Sequence, residues 1–454
     1  MRSQTSSHPD RQALWGLLCL LFALAATADD WPQWLGPQRD GVWRETGILS
    51  SFPTNGPTVR WRVPVGGGYA GPAVADGRVY VADRAVAAGA QPPASAFDRG
   101  SIPGSERVQC LRETDGSVLW QHSYPCPYTV SYPAGPRVTP LVSGERVFCL
   151  GAEGHLFCLE STTGKVLWSH DFKQDFGIAT PIWGFAGHPL LYQHKLICLA
   201  GGNGTTAVAF DEATGKEIWR ALSAKEPGYA PPTLIQASGQ PLVIIWHPEA
   251  VNALEPDTGK VRWSVPFSSR SGLSVATPRL AGDRLFVSAF YDGSLLLRLH
   301  GDTPEVLWRS KKASERDTDC LHCLISTPVI EGNHIYGVCS YGQLRCLNAE
   351  TGERLWESLA PTTGGPETRW GNAFLVKHGE RFFLFNETGD LIIARLTPAG
   401  YKELSRAHLL DPVNRDPGRP VVWSHPAFAN RSVYARNDKE LVCVSLAARR
   451  DEAR

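Results

Sequence analysis

Residues 158–168 read CLESTTGKVLW. The same grammar returns at 110–120 as CLRETDGSVLW, at 209–219 as AFDEATGKEIW, at 253–263 as ALEPDTGKVRW and at 346–356 as CLNAETGERLW. Two degenerate copies run from Arg298 to Trp308 and from Ala394 to Leu404, and a last one starts at Cys443. The eight starts lie 44 to 51 residues apart. A period of this length marks units that bury their apolar faces against neighbouring copies.

A second column precedes each copy. It reads Gly71-Pro72, Thr139-Pro140, Thr180-Pro181, Pro231-Pro232, Thr277-Pro278, Thr327-Pro328, Asn372-Ala373 and His425-Pro426. Between the columns stand short runs such as RVYVAD (78–83), RVFCLG (146–151) and RLFVSAF (284–290). Alternating β-branched and aromatic residues bounded by Gly, Asp and Asn read as strands and turns. Four such strands per unit and eight units predict an all-β, eight-bladed β-propeller of four-stranded antiparallel blades. The last copy ends before it supplies a Trp-bearing strand, whereas PTVRWRVPV (57–65) has that strand with no copy before it. Trp61 is therefore expected to complete the eighth blade, which removes the free sheet edges of an open ring. Thr-Gly is the hairpin turn between the third and fourth strands, with Gly supplying positive φ. Trp61, Trp120, Trp168, Trp219, Trp263, Trp308 and Trp356 are expected to dock between blades, each N–H on a carbonyl. Leu404 stands in their column once, and the small column holds Cys110, Cys158, Cys346 and Cys443 as packing residues.

The 454 residues carry 45 basic and 45 acidic side chains. That balance offers no basic patch and excludes nucleic acid as the expected partner. Residues 1–28 have a positive start, the apolar run ALWGLLCLLFALAA (13–26) and an Ala-Thr-Ala cleavage site, which together read as an export signal. The expected organisation is a signal peptide (1–28), a lead-in (29–56), one propeller (57–446) and a charged tail (447–454). The mature chain is expected to be an exported monomer, in the periplasm or secreted, without a transmembrane segment.

No G-x-S-x-G, H-E-x-x-H or calcium-loop pattern is present. AGGNGTT (200–206) reads as a strand-to-strand turn, since no helix follows to bind phosphate. DCLHC (319–323) lacks the His that a haem attachment site needs after its second Cys, and no second ligand pair suggests structural zinc. A disulfide there, local or with Cys339, is compatible with export; a loop entering an inner strand is the preferred reading. No metal site is expected.

The longer connections collect on the face opposite the Thr-Gly turns. They include the Ala/Pro/Ser/Gly-rich insert 84–106, read as mobile, and residues 123–137, 311–323 and 411–425. Binding residues concentrate on such loops. Tyr69, Tyr128, Tyr132, Trp183, Tyr229, Trp246, His247, Tyr291, His322, Tyr341, Arg369, Trp370, Trp423 and His425 fall on this face. From them the candidate binding set is Arg369, Trp370, Trp423, His425, Tyr341, His322, Trp183 and His247. Arg369 with Trp370 and Trp423 with His425 precede adjacent inner strands and are expected side by side at the channel rim.

The T-G-K-x-x-W copies resemble the PQQ-type propeller repeat of quinoprotein dehydrogenases and BamB-like outer-membrane assembly factors. WPQWLGPQRDG (31–41) is similar to the start of exported propellers of this type in planctomycete-type bacteria. The resemblance covers about 31–446. It implies one of two functions. One is a non-enzymatic propeller that binds a protein, glycan or small molecule on its loop face, as in BamB-like envelope assembly. The other is an oxidoreductase dependent on pyrroloquinoline quinone (PQQ) and calcium. The enzymes of the family are marked by adjacent cysteines, a carboxylate base, and Glu, Asn and Asp around Ca²⁺. This chain has no Cys-Cys pair, so no catalytic residue is carried over, no cofactor is expected, and the binding function is preferred.

Overall fold

The computed structural model describes residues 1, 29–91, 93–301, 303–415 and 418–448. The expected signal peptide and most of the expected tail lie outside the described residues. Eight separate four-stranded antiparallel sheets make up the propeller. Blade 1 runs from Ala73 to Pro125, and six more follow in chain order at 141–171, 190–221, 233–266, 279–309, 329–358 and 373–408. Blade 8 takes three strands from 427–445 and its outermost one, Val59–Pro64, from the N-terminal side. Trp61 faces Cys443 across that junction, so the ring closes where the sequence predicts.

The two halves of the repeat meet across blade boundaries. The Trp120 indole N–H donates to Ser161 O at 2.9 Å, and its ring lies on Gly164 of the next blade's turn. Trp168 repeats this with Glu212 O at 3.1 Å and Gly215, and Trp219 with Pro256 O at 3.0 Å and Gly259. Trp308 does so with Ala349 O at 2.9 Å and Gly352, and Trp61 with Glu113 O at 2.8 Å and Gly116. A Cβ at Gly215 would come within 2.7 Å of the Trp168 ring, and φ there is +72°. Glycine is thus required twice over, by conformation and by the ring above it. Cys110, Cys158, Ala209, Ala253 and Cys346 stand directly opposite the tryptophans of their own hairpins.

Trp263 and Trp356 depart from the expected docking, and both are only half-buried. Trp263 packs against the cluster between blades 4 and 5, yet its indole N–H has no carbonyl partner among the described residues. Trp356 keeps its carbonyl, Thr397 O at 2.8 Å, and lies against the cluster between blades 6 and 7. Neither ring covers a turn glycine: a Cβ at Gly301 of blade 5 or Gly400 of blade 7 would meet nothing within 4 Å. The cause lies in the next blade each time. The hairpins that should receive these rings belong to the two degenerate copies, which lack the Thr-Gly turn. The docking rule therefore holds in full only where the following copy is intact.

The hydrophobic clusters lie between blades. One joins Ile244, Trp246 and Val251 of blade 4 to Leu285, Val287 and Leu295 of blade 5. Another joins Trp31 and Trp43 of the lead-in to Phe383, Phe385, Phe428 and Tyr434 of blades 7 and 8. All ten described cysteines are free and buried, Cys320, Cys323 and Cys339 included. Helix is confined to Phe172–Phe176 and a short 3-10 turn at Arg270–Gly272 among the described residues.

Three further readings are corrected. Blade 3 opens after His188-Pro189, because its innermost strand is Leu190–Tyr192; Thr180-Pro181 lies in the preceding connection. In blade 5 the residue opposite Trp308 is Leu296, not Arg298, because the hairpin loop is longer. Outer strands bulge one residue before the tryptophan; in blade 7 the bulged residue is Leu404, and Ser405 occupies the tryptophan position. The Ser405 hydroxyl accepts from Phe52 N at 2.9 Å, so the lead-in covers the place an indole fills elsewhere. Strands Arg78–Val86 and Gly104–Arg112 extend into the two ends of the insert 84–106, and Tyr132 N donates to Ala96 O while Arg99 Nε donates to Thr129 O. Its tip folds over the channel mouth.

Candidate functional site

The lead-in closes the central channel from the Thr-Gly side. Trp31 exchanges two backbone hydrogen bonds with Val74 of blade 1, and Trp43 N donates to Lys377 O of blade 7. Between them Arg39 is half-buried, donating to the carbonyls of His188, Pro189 and Pro232, while Arg279 donates to the carbonyls of Arg39 and Asp40. Trp34 is thereby pushed into the channel. It meets the residues that precede the inner strands of several blades. Its N–H donates to Thr277 Oγ1 at 2.9 Å, its ring stacks on His188 at 4.4 Å, and His425 meets it edge-on at 4.3 Å. Thr139 Oγ1 lies 2.6 Å from His425 Nε2 and 3.3 Å from His188 Nε2. Gly71 has no side chain because His425 occupies the space a Cβ would take.

Burial pushes the His425 pKa down to about 3, and burial with the neighbouring His425 and Arg39 takes His188 well below its ordinary value. Both rings are neutral at pH 7. A folded pKa below the unfolded one means that the unfolded chain binds the extra proton first. Stability from His425 is therefore full above about pH 6.5 and falls as acid approaches pH 3. Each such group contributes a slope of about 1.4 kcal/mol per pH unit. His425→Asn should flatten the dependence of melting temperature on pH between those values relative to the unsubstituted chain; equal slopes would refute this assignment.

Above Trp34 the channel opens into a basin of about 420 Å³ on the loop face. Eleven lining residues are Phe, Tyr or Trp and two are Arg, with no Asp, Glu, Asn or Cys among them. Tyr132 stacks on Trp423 at 6.2 Å, and Phe97 from the insert meets both Tyr132 (5.2 Å) and Trp370 (6.0 Å). Trp183 meets Tyr229 edge-on at 5.8 Å. The Arg369 guanidinium lies 4.5 Å over Trp370 and pairs with Glu315 at 2.6 Å; Arg137 lies 5.1 Å over Tyr69. Trp370 and Tyr132 adopt φ of +64° and +55°. Such a backbone costs a bulky residue about 1–3 kcal/mol, and strain of this kind gathers at binding sites.

Of the candidate residues, Arg369, Trp370, Trp423, His425 and Trp183 line this basin together, His425 at its floor. Tyr341 stands behind Arg369, donating to Glu315 at 3.2 Å. His322 is buried between blades 5 and 6 and His247 beside Glu249; neither lines the basin. Tyr69, Tyr132, Tyr229 and Tyr291 line it, whereas Tyr128 and Trp246 are buried elsewhere. The sequence reading missed Trp34, His188, Phe97 and Arg137. The density of Trp and Arg in 31–44 is the signal that pointed to Trp34.

The basin does not fit the calcium–quinone pair that the fold implies. Calcium takes carboxylate, amide and carbonyl oxygens, and the lining offers no carboxylate or amide side chain and no cysteine.

A family model described as outer membrane protein assembly factor BamB matches residues 104–357 and 299–453. The outer membrane protein assembly factor BamB of Burkholderia pseudomallei (strain K96243) is 26% identical over 160 residues, 33% of this chain and 40% of that protein. The matched stretch thus spans less than half of that relative. The crystal structure of BamB from Moraxella catarrhalis superposes with a TM-score of 0.53 at 16% identity, covering 80% of this chain and 98% of that one. A europium-containing methanol dehydrogenase gives 0.59 at 14% identity, covering 92% and 89%. At these identities the two structures speak for the fold, which both kinds of protein share. No helix among the described residues is long and apolar enough to cross a membrane. The repeats, the ring they close and the reach of the family match make this chain a member of the PQQ-type β-propeller family described as outer membrane protein assembly factor BamB.

Proposed function

We propose that the chain is an exported, non-enzymatic binding propeller that serves in envelope protein assembly and receives a segment of a partner protein in its basin. The observation that carries this is the lining: aromatic faces and two guanidinium groups, with no carboxylate among the lining residues and Glu315 held behind the rim against Arg369. Aromatic residues and Arg are the anchors of recognition surfaces. Their arrangement complements a segment that bears aromatic side chains and carboxylates. The volume of about 420 Å³ is in the range of sites that take a few side chains. The family's printed role in outer-membrane assembly agrees with a protein partner.

Intrinsic fluorescence tests the reading, since Trp183, Trp370 and Trp423 line the basin. A short peptide of alternating Phe and Glu should give a saturable change that Arg369→Ala weakens. In cells, a photoreactive residue replacing the exposed Phe97 should crosslink a partner, while one replacing Thr258 on the opposite face should not. Saturable, calcium-dependent binding of PQQ without peptide binding would overturn the proposal and favour the oxidoreductase reading.

A further inference from the structure

Away from the basin, in the connection between blades 5 and 6, the residues of DCLHC fold onto themselves. Ser310 Oγ and Lys311 N both donate to the Asp319 carboxylate, at 2.5 and 2.7 Å, and draw the turn closed. His322 is fully buried beneath it. Its Nδ1 lies 3.2 Å from Phe290 O. A carbonyl only accepts, so Nδ1 carries the proton and Nε2 of the neutral ring keeps its lone pair. That Nε2 is buried and has no hydrogen-bond partner. It faces Asp319 Oδ1 at 3.6 Å, too far for a hydrogen bond. A fully buried ring nitrogen that turns its lone pair toward a carboxylate oxygen is costly unless a positive charge lies between them. The Cys320 thiol completes the arrangement, and one ligand atom from each of the three residues falls within 4.8 Å of the others.

We infer that Asp319, Cys320 and His322 form a zinc site. Nitrogen, sulfur and oxygen at this spacing suit a borderline-soft divalent ion, and three protein ligands leave a fourth position for solvent. The Asp319 side chain is 29% exposed, so water reaches the site from its side. On binding, the Cys320 thiol gives its proton to solvent and its sulfur bonds to the metal. Carboxylate and thiolate then cancel the two positive charges, which makes burial of the ion tolerable. The carbonyl of Phe290 on Nδ1 is the outer partner that orients a metal-ligating imidazole. Cys339 is excluded because Arg345 Nη1 lies 3.0 Å from its sulfur. The same connection carries Glu315, which holds Arg369 and Tyr341 at the basin rim. The ion therefore pins the loop on which that rim depends.

The test uses the purified full mature chain, stripped with a chelator and then titrated with Zn²⁺ or Co²⁺. One tightly held zinc per chain is expected by elemental analysis after dialysis. Cobalt should give the visible bands of a tetrahedral site with a thiolate-to-metal charge-transfer band. Cys320→Ser should abolish that band. His322→Ala and the isosteric Asp319→Asn should each weaken zinc binding at least about 10-fold. Cys339→Ser should change neither. Circular dichroism confirms that each variant is folded. Substoichiometric zinc lost on dialysis would overturn the proposal, as would a charge-transfer band that survives Cys320→Ser or a Cys320 found in a disulfide by alkylation and mass analysis.

Discussion

Replacing Trp120 by Ala is expected to lower the unfolding free energy by about 3–5 kcal/mol, as deletion of a buried indole does. The reason is positional. Trp120 is buried, its N–H is on Ser161 O, and its ring covers Gly164 of the next blade. Truncation opens a cavity between two blades and orphans a carbonyl at the same joint. Gly164→Ala attacks that joint from the other side. Its Cβ would strike the Trp120 ring from a backbone at φ +73°, so this single methyl should also destabilise, by about 1–3 kcal/mol. Because both variants damage one contact, their effects should fall well short of additive in a double mutant. Chemical denaturation of the four proteins measures this. Full additivity would mean that ring and turn do not support each other. Ser405→Trp in blade 7 gives the converse test. Phe52 already holds that place through its backbone N–H, so a new indole should displace the lead-in and fail to stabilise.

The repeat was legible because its chemistry is local. A Thr-Gly turn and a Trp four or five residues later both belong to one hairpin, and their partners recur in most neighbouring copies. Trp61 could be assigned to blade 8 for the same reason, since a closed ring has one strand too many at one end and one too few at the other. Docking is a property of two copies, however, so Trp263 and Trp356 look intact in their own hairpins and lose the glycine of the next. Register was less legible. The bulge before each Trp, and the longer hairpin in blade 5, shift pairing without altering hydrophobic pattern, so Leu404 and Arg298 were placed one and two residues off. Blade 3 escaped because its column carries His188 in place of Thr, and a nearby Thr180-Pro181 mimics the motif. The basin was half legible. Arg369, Trp370, Trp423 and His425 follow from their place just before inner strands, which sets them on the channel wall. His322 and His247 share the same face but are buried away from the basin, a choice made by side-chain packing that strand grammar does not encode. Trp34 belongs to no repeat at all. It reaches the channel only because Arg39 and Arg279 tie the lead-in across the ring.

Trp370 separates the demands of folding from those of binding. Its backbone stands at φ +64°, where a bulky residue is strained and glycine is not. Its ring offsets part of that strain through the Arg369 guanidinium at 4.5 Å and through Phe97 and Tyr132 at 6.0 and 6.2 Å. Trp370→Gly relieves the strain and loses the ring contacts, so stability should change by no more than about 1 kcal/mol. Binding should not be spared. An indole in the wall of an aromatic basin is the type of anchor whose removal costs about 2–4 kcal/mol, or about 30- to 1,000-fold in affinity for the acidic-aromatic probe. Trp423→Ala should act in the same direction, since its ring stacks on Tyr132 across the same wall. Paired measurements of melting temperature and probe affinity decide the matter. If Trp370→Gly lost several kcal/mol of stability while keeping full affinity, the residue would be part of the scaffold and the basin would lose its claim as the recognition site. Near-native stability with lost affinity would mean that the fold carries a strained tryptophan for what the basin holds.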